Sequence, residues 1–186
     1  MNDRARPRVV IAEDEAIIRL DLRELLEEEG YAVVGETGRG DEAIDLVREL
    51  VPDLVILDVK MPGLDGLSAA RHIASERLAA VLILTAFSQR DLVEQARDAG
   101  ALAYLVKPFQ KSELIPAIEL AMARHSELTS LERHVDDLEQ RLEARKLIDR
   151  AKGRLMSEYG HDEQTAWRFI QTRAMNERVK IAEIAR

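Results

Sequence analysis

The sequence predicts an α/β protein, a five-stranded parallel sheet flanked by helices and followed by an all-α C-terminal end. Three observations carry that prediction. Five short apolar runs alternate with segments of helical periodicity, and consecutive parallel strands need such helical crossovers. The run in 54–66, LVILDVKMPGLDG, has the unbroken apolar character of a strand buried on both faces, and it closes on an acid and a Pro/Gly-rich loop. After Pro116 there is no further Gly or Pro until Gly153, and the residues between are mostly strong helix formers.

The elements follow in order. Arg8 to Ala12 reads as the first strand, followed by a helix over Ala16 to Glu29 with Ile17, Leu20, Leu22, Leu25 and Leu26 near helical spacing and Gly30 as its stop. Tyr31 to Glu36 is the second strand and Asp41 to Leu50 the second helix. Leu54 to Asp58 is the third strand, about Gly66 to Glu76 the third helix, and Ala80 to Thr85 the fourth strand. The fourth helix is about Arg90 to Ala99, Leu102 to Val106 the fifth strand, and a long helix begins near Ser112.

Composition narrows the function classes. A chain of 186 residues is long enough for one full domain plus a small second one, or for one large domain. The absence of cysteine excludes disulfides, thiol catalysis and thiolate metal sites. The first 15 residues hold only four consecutive apolar positions, too few for a signal peptide or a membrane span, so a soluble, cytoplasmic protein with no membrane contact is expected. Residues 141–186 carry 11 basic and 7 acidic side chains, a balance of +4 within a net charge of −8. A polyanion is therefore expected at the C-terminal end.

The chemistry-bearing residues fall where strands end. Glu13 and Asp14 follow strand one, Asp58 ends strand three, Thr85 ends strand four, and Lys107 follows strand five. In a flavodoxin-like order, 2-1-3-4-5, strands one and three are neighbours and their ends form the ligand crevice. Three carboxylates meeting there would repel one another, and a hard divalent cation, Mg²⁺, resolves the conflict through carboxylate, water and phosphate oxygens. Asp58 then stays ionised and serves as a carboxylate nucleophile, with Thr85 offering a hydroxyl and Lys107 a positive charge to a phosphoryl group. Taken singly each residue has a plainer reading: a turn acid, a structural threonine, a solvated lysine.

Glu13-Asp14, LVILDVKMPGLDG, Leu84-Thr85-Ala86 and Lys107-Pro108-Phe109 together resemble the receiver domain of two-component response regulators, over roughly residues 7–125. The resemblance implies phosphorylation of Asp58 by a sensor histidine kinase or a small phosphodonor. It implies Mg²⁺ held by Asp14, Asp58, the backbone carbonyl of Lys60 and, through water, Glu13. It further implies a cis Lys107-Pro108 peptide, and a switch in which Thr85 and Tyr104 couple phosphorylation to the surface of helix four, strand five and helix five. Such a protein is not an enzyme beyond its own phosphorylation and dephosphorylation. Haloacid-dehalogenase-type phosphatases also use a strand-end Asp, but their second Asp two residues on is here Lys60.

Leu128, Leu131, Val135, Leu138 and Leu142 follow a 3-4-3-4 spacing, an a/d seam of about two heptads, so residues 126–144 read as a helical coiled-coil linker that brings two copies together. Residues 145–186 then read as a small three-helix all-α domain: a continuation through about Glu158, a helix over Asp162 to Met175, and one over Val179 to Arg186, with breaks at Gly160 and Asn176-Glu177. Its expected core is Ile148, Leu155, Met156, Trp167, Phe169 or Ile170, Met175, Ile181 and Ile184.

Arg150-Ala151-Lys152-Gly153 with Leu155-Met156, Asp162 to Trp167, and Arg173-Ala174-Met175 resemble the ANTAR domain, the RNA-binding output module of antitermination regulators. With a receiver ahead of it, the chain is similar to the phosphorylation-dependent antitermination regulators of actinobacteria. The resemblance implies binding to paired RNA hairpins in leader transcripts. Arg150, Lys152, Arg173, Arg178 and Lys180 are the expected RNA contacts, with Ala151, Gly153 and Ala174 small enough for close approach. Two other readings stand beside it: a DNA-binding response regulator, disfavoured because the tail is too short for a winged helix-turn-helix, and a protein-interaction module. The four histidines, His72, His125, His134 and His161, form no i,i+4 pair, and metal binding by them is not expected.

Overall fold

The computed structural model describes residues 6–86 and 90–185. The chain divides into two compact units, Met1–Thr129 and Ser130–Arg186.

In the first unit β1 (Arg8–Ala12), β2 (Ala32–Thr37), β3 (Leu54–Asp58), β4 (Ala80–Thr85) and β5 (Ala103–Val106) form one sheet in the order β2-β1-β3-β4-β5, with every neighbouring pair parallel. The helices α1 (Ala16–Glu28), α2 (Gly40–Leu50), α3 (Gly66–Ser75), α4 (Arg90–Asp98) and α5 (Lys111–Tyr159) alternate with the strands as the periodicity predicts. Boundaries differ from the sequence reading by about one residue, which is the ordinary scatter of helix and strand ends.

The period of two along each strand sorts the core into two layers. Val10, Ala12, Val55, Leu57, Val81 and Ile83 pack with α2, α3 and α4 residues such as Val47, Ile73 and Ala96. Val9, Ile11, Leu54, Ile56, Leu82 and Leu84 pack on the other face with Leu22 and Leu26 of α1 and with Leu114, Ile118 and Ala121 of α5. Both faces of β3 are covered, which is why its sequence is apolar throughout rather than alternating.

The second unit departs more from expectation. Its first helical piece agrees, since α5 runs through Gly153 to Tyr159, one residue past the expected end, and the differences lie beyond it. Asp162 caps α6 (Glu163–Glu177), its Oδ1 accepting from the Thr165 N–H at 2.7 Å. The expected break at Asn176-Glu177 falls instead at Arg178, which takes the left-handed conformation at φ 55° while Val179 N–H donates to Ala174 O at 3.1 Å. The chain is extended at Lys180, so the last helix, α7, is only Ile181–Ile184 rather than Val179 to Arg186. Arg186 itself lies outside the described residues.

The expected core of this unit is corrected too. Ala166, Ile170 and Ala174, spaced four apart on α6, are the buried stripe, together with Ala185. Trp167, Phe169, Met156 and Met175 are exposed, Met175 at 73%. Small alanines let the helices approach closely, and the bulky residues beside the stripe are turned out of it.

Candidate phosphoacceptor and metal centre, and the C-terminal groove

The acidic site is assembled by the sheet. The ladder that pairs Ala12 with both Thr37 and Leu57 continues one residue further, where Glu13 N–H donates to Thr37 O at 3.0 Å. Glu13 and Asp14 are thereby carried to the end of β1, beside Asp58 at the end of β3. One oxygen from each of Glu13, Asp14 and Asp58 lies within 4.8 Å of the other two, the one such metal-capable cluster among the described residues.

The loop after β3 holds Asp58 in place. Lys60 N–H donates to Asp58 Oδ2 at 2.9 Å, and Gly66 N–H donates to Val59 O at 3.0 Å. A Cβ on Gly66 would stand 1.8 Å from the Asp58 carbonyl oxygen, so only glycine lets α3 start against this strand end. Asp65, the second acid of the motif, has a structural part: it caps α3 through Ser68 N–H at 2.9 Å and Ser68 Oγ at 2.7 Å.

Lys107 spans the cluster. Its ammonium pairs with Asp58 Oδ1 at 2.7 Å and with Glu13, and its side chain is mostly buried. Burial pushes the Lys107 amine down, but its hydrogen bonds to Asp58 and Glu13 outweigh that and hold it above the usual lysine value. Burial pushes the Glu13 carboxyl up; Lys107 opposes that shift and the Asp58 charge adds to it. Lys107 N–H donates to Thr85 O at 2.7 Å, and the Lys107-Pro108 peptide is cis, as the resemblance implied. Thr85 is buried opposite Val106, whereas Tyr104 is half exposed on β5.

One residue near this site escaped the sequence reading. The Arg19 guanidinium donates to the Glu13 carbonyl from α1. Its signal was weak, because a basic residue on an amphipathic helix is ordinary. Chemically the site offers three carboxylates against one buried ammonium, an excess of negative charge that suits a hard divalent cation with room for phosphate oxygens.

In the second unit a groove of about 440 Å³ lies between the end of α5, α6 and the residues around α7. Of the expected RNA contacts, Arg150, Ala151 and Arg173 line it. Lys152, Gly153, Arg178 and Lys180 do not. Lys152 is tied to Glu163 at 2.8 Å and Asp149 at 3.4 Å, whereas the space above Gly153 is open. Ala174 is 4% exposed and packs within the small core. Sequence reasoning missed Arg154, Tyr159 and Phe169 in the groove, since Phe169 lies on a different helix from the other two and only the turn between α5 and α6 brings it beside them.

These features define a sheet-borne acidic site joined to a helical output unit. The response regulator receiver domain family model matches residues 9–119, and the ANTAR domain model matches residues 136–186. The chain belongs to the two-component response regulators, with a receiver domain and an ANTAR domain, which control transcription through RNA binding. It is 59% identical over 184 residues to the transcriptional regulatory protein PdtaR of Mycobacterium tuberculosis, covering 98% of this chain and 90% of that protein. It is 37% identical over 112 residues to the chemotaxis protein CheY of Thermotoga maritima, covering 60% of this chain and 93% of that one. Among solved structures, the receiver domain of the response regulator NarL from Mycobacterium tuberculosis superposes with a TM-score of 0.62 at 30% identity, over 64% of this chain and 98% of that one.

Receiver domains generally bind Mg²⁺ at an acidic pocket, and their partner is a histidine kinase. A regulator of this kind is not a classical enzyme. No helix among the described residues is long and apolar enough to cross a membrane.

Proposed function

We propose that the chain is a phosphorylation-gated RNA-binding antiterminator in which Asp58 is the phosphoacceptor. The observation that carries this is the convergence of Glu13, Asp14 and Asp58 oxygens within 4.8 Å, with the Lys107 ammonium 2.7 Å from Asp58. The Asp58 carboxylate forms the new P–O bond as the bond from phosphorus to the donor, a kinase histidine or a small phosphodonor, breaks. Glu13, Asp14, Asp58 and the Lys60 carbonyl would hold Mg²⁺, which when bound neutralises charge on the transferring phosphoryl oxygens. Lys107 is supplied as a second positive charge, and Thr85 as a hydroxyl for a phosphoryl oxygen.

Thr85 and Tyr104 then report the phosphorylated state to the face of α4, β5 and the start of α5. The functional segments under this reading are a receiver over 7–125, a coiled-coil linker over 126–144 and an ANTAR domain over 145–186. Leu131, Val135, Leu138 and Leu142 are each more than half exposed, an a/d seam with nothing covering it in one copy of the chain, which supports pairing of two copies on activation. The RNA partner is a pair of leader hairpins whose capture prevents a terminator from forming. Arg150, Lys152, Arg173, Arg178 and Lys180 are its cationic contacts, with Ala151 and Gly153 allowing close approach.

The test is binding of a tandem-hairpin leader RNA at fixed salt to wild type and Asp58→Ala, with and without Mg²⁺ and a small phosphodonor. Tight binding only by phosphorylated wild type supports acceptor, output and coupling together. Equal affinity for hairpins and scrambled RNA under every condition defeats the antitermination reading and favours a protein-interaction module.

A further inference from the structure

The C-terminal unit leaves three aromatic rings in contact near its surface. Tyr159, at the end of α5, has its ring centroid 6.3 Å from that of His161, with the planes 18° apart. His161 in turn lies 6.3 Å from Phe169 of α6, at 31°. Tyr159 is 69% exposed and Phe169 47%, so this stack is not part of the alanine-lined core. The exposed faces of Tyr159 and Phe169, on two different helices, are costly in water unless something covers them.

Arg150, Arg154 and Arg173 line the same groove as Tyr159 and Phe169, with Glu158 the one acid among them. Arg154 lies 3.5 Å from Glu158, and Arg173 lies 2.8 Å from Glu177. These are exposed pairs, which exchange readily for another anion. An acidic peptide would use the arginines but leave the rings uncovered; a nucleotide uses both, its phosphate on guanidinium and its base on a ring.

We infer that this groove is a stacking site for one unpaired nucleotide of an RNA loop, its base lying on Tyr159 and Phe169 and its flanking phosphates on Arg150, Arg154 and Arg173. The inference rests on the RNA-binding reading above and adds to it a particular subsite. Trp167, the chain's one tryptophan, does not line this groove. The volume of about 440 Å³ falls within the roughly 300–1,000 Å³ of small-ligand sites and suits one nucleotide rather than a helix.

The test begins with hairpins enriched from a randomised-loop RNA pool on the phosphorylated full-length chain, then resynthesised with 2-aminopurine at each loop position in turn. One loop position is expected to change its fluorescence on binding to wild type. Phe169→Leu and Tyr159→Leu, which keep the apolar bulk but remove the ring, are expected to abolish that signal and weaken affinity about tenfold each, while Phe169→Tyr retains both. Arg150→Gln is expected to lower the salt slope of binding by about one and leave the ring signal in place. If both leucine variants bind like wild type with the fluorescence unchanged, the stacking site is refuted while RNA binding stands. If the pool yields no enriched hairpin on wild type, RNA binding and the stacking site fall together. Far-UV circular dichroism and phosphorylation at Asp58 are expected to be unaltered in every variant, so a weakened complex reports the groove rather than unfolding.

Discussion

The two units bury their apolar residues in opposite ways. In the receiver unit Ile11, Leu54, Ile56, Leu57, Leu82 and Leu84 are all fully buried, on two faces of one sheet. In the C-terminal unit the buried stripe on α6 is mostly alanine, and Tyr159, Phe169, Met175 and Trp167 face outward. The first unit fills a two-layered core with large aliphatic side chains, although Ile17, Leu20 and Val51 stay on its surface, and gathers its buried acids at one site. The second leaves its bulk on the surface, the place where the proposed second copy and RNA loop would bind. A unit spanning only Ser130–Arg186 has little core of its own, which is the physical reason so much bulk stays outside.

The largest expected effect separates the chemistry of the units. Asp58→Ala should reduce phosphoryl incorporation from a small donor to background on a phosphate-affinity gel, whereas Phe169→Leu should leave it at the wild-type level. Incorporation into Asp58→Ala equal to wild type would place the acceptor elsewhere.

Next comes packing. Ile56→Ala removes a fully buried side chain between α1, α5 and the sheet, and about 2–5 kcal/mol of stability should be lost in urea denaturation. Met175→Ala, at a 73% exposed position, should stay within about 0.5 kcal/mol. A comparable loss from Met175→Ala would erase the contrast between the units.

The seam offers an intermediate effect. Leu138→Lys should weaken self-association of the phosphorylated chain by about tenfold or more, seen as a concentration-dependent shift in sedimentation, because burying one leucine contributes about 2 kcal/mol. The unfolding midpoint of the receiver unit should not change. Sedimentation identical to wild type would mean the exposed leucines pair with something other than their own copy.

The smallest effect is one of pH. The Lys107 amine is held above its ordinary value of 10.5 in the folded chain, so its contribution to stability is complete below about that pH and disappears as pH rises through the folded value. Lys107→Met should therefore show a shallower fall in melting temperature across the alkaline range than wild type. Glu13 acts in the same sense at the acid end: burial raises it above 4.5, so its ionisation on raising the pH costs stability, and Glu13→Gln should remove that dependence. Parallel alkaline curves for wild type and Lys107→Met would show that the ion pair does not report folding.

How much was legible in the sequence follows the same division. The strands could be read because a strand covered on both faces must be apolar throughout, and LVILD has no competing reading once Pro62 and Gly63 end it. The acidic site could be read because its residues sit at strand ends, which a parallel sheet aligns automatically. The C-terminal unit resisted. Trp167 and Met175 have the size and spacing of core residues, yet beside Ile170, which the spacing did offer, it is Ala166 and Ala174 that took the interior by permitting closer helix contact. Nothing local announced the left-handed Arg178, since glycine or asparagine usually marks that turn.

The sequence by itself determined the alternation of strand and helix, the five-stranded parallel sheet and the residues at its strand ends, because periodicity and turn chemistry are local properties of the chain. Tertiary structure alone decided the rest. It set Lys107 against both Asp58 and Glu13, brought Arg19 to the Glu13 carbonyl, and gathered Tyr159, His161 and Phe169 into one stack beside Arg150 and Arg173. Those meetings join residues on separate elements, and their distances depend on how closely the small side chains between them let the helices pack.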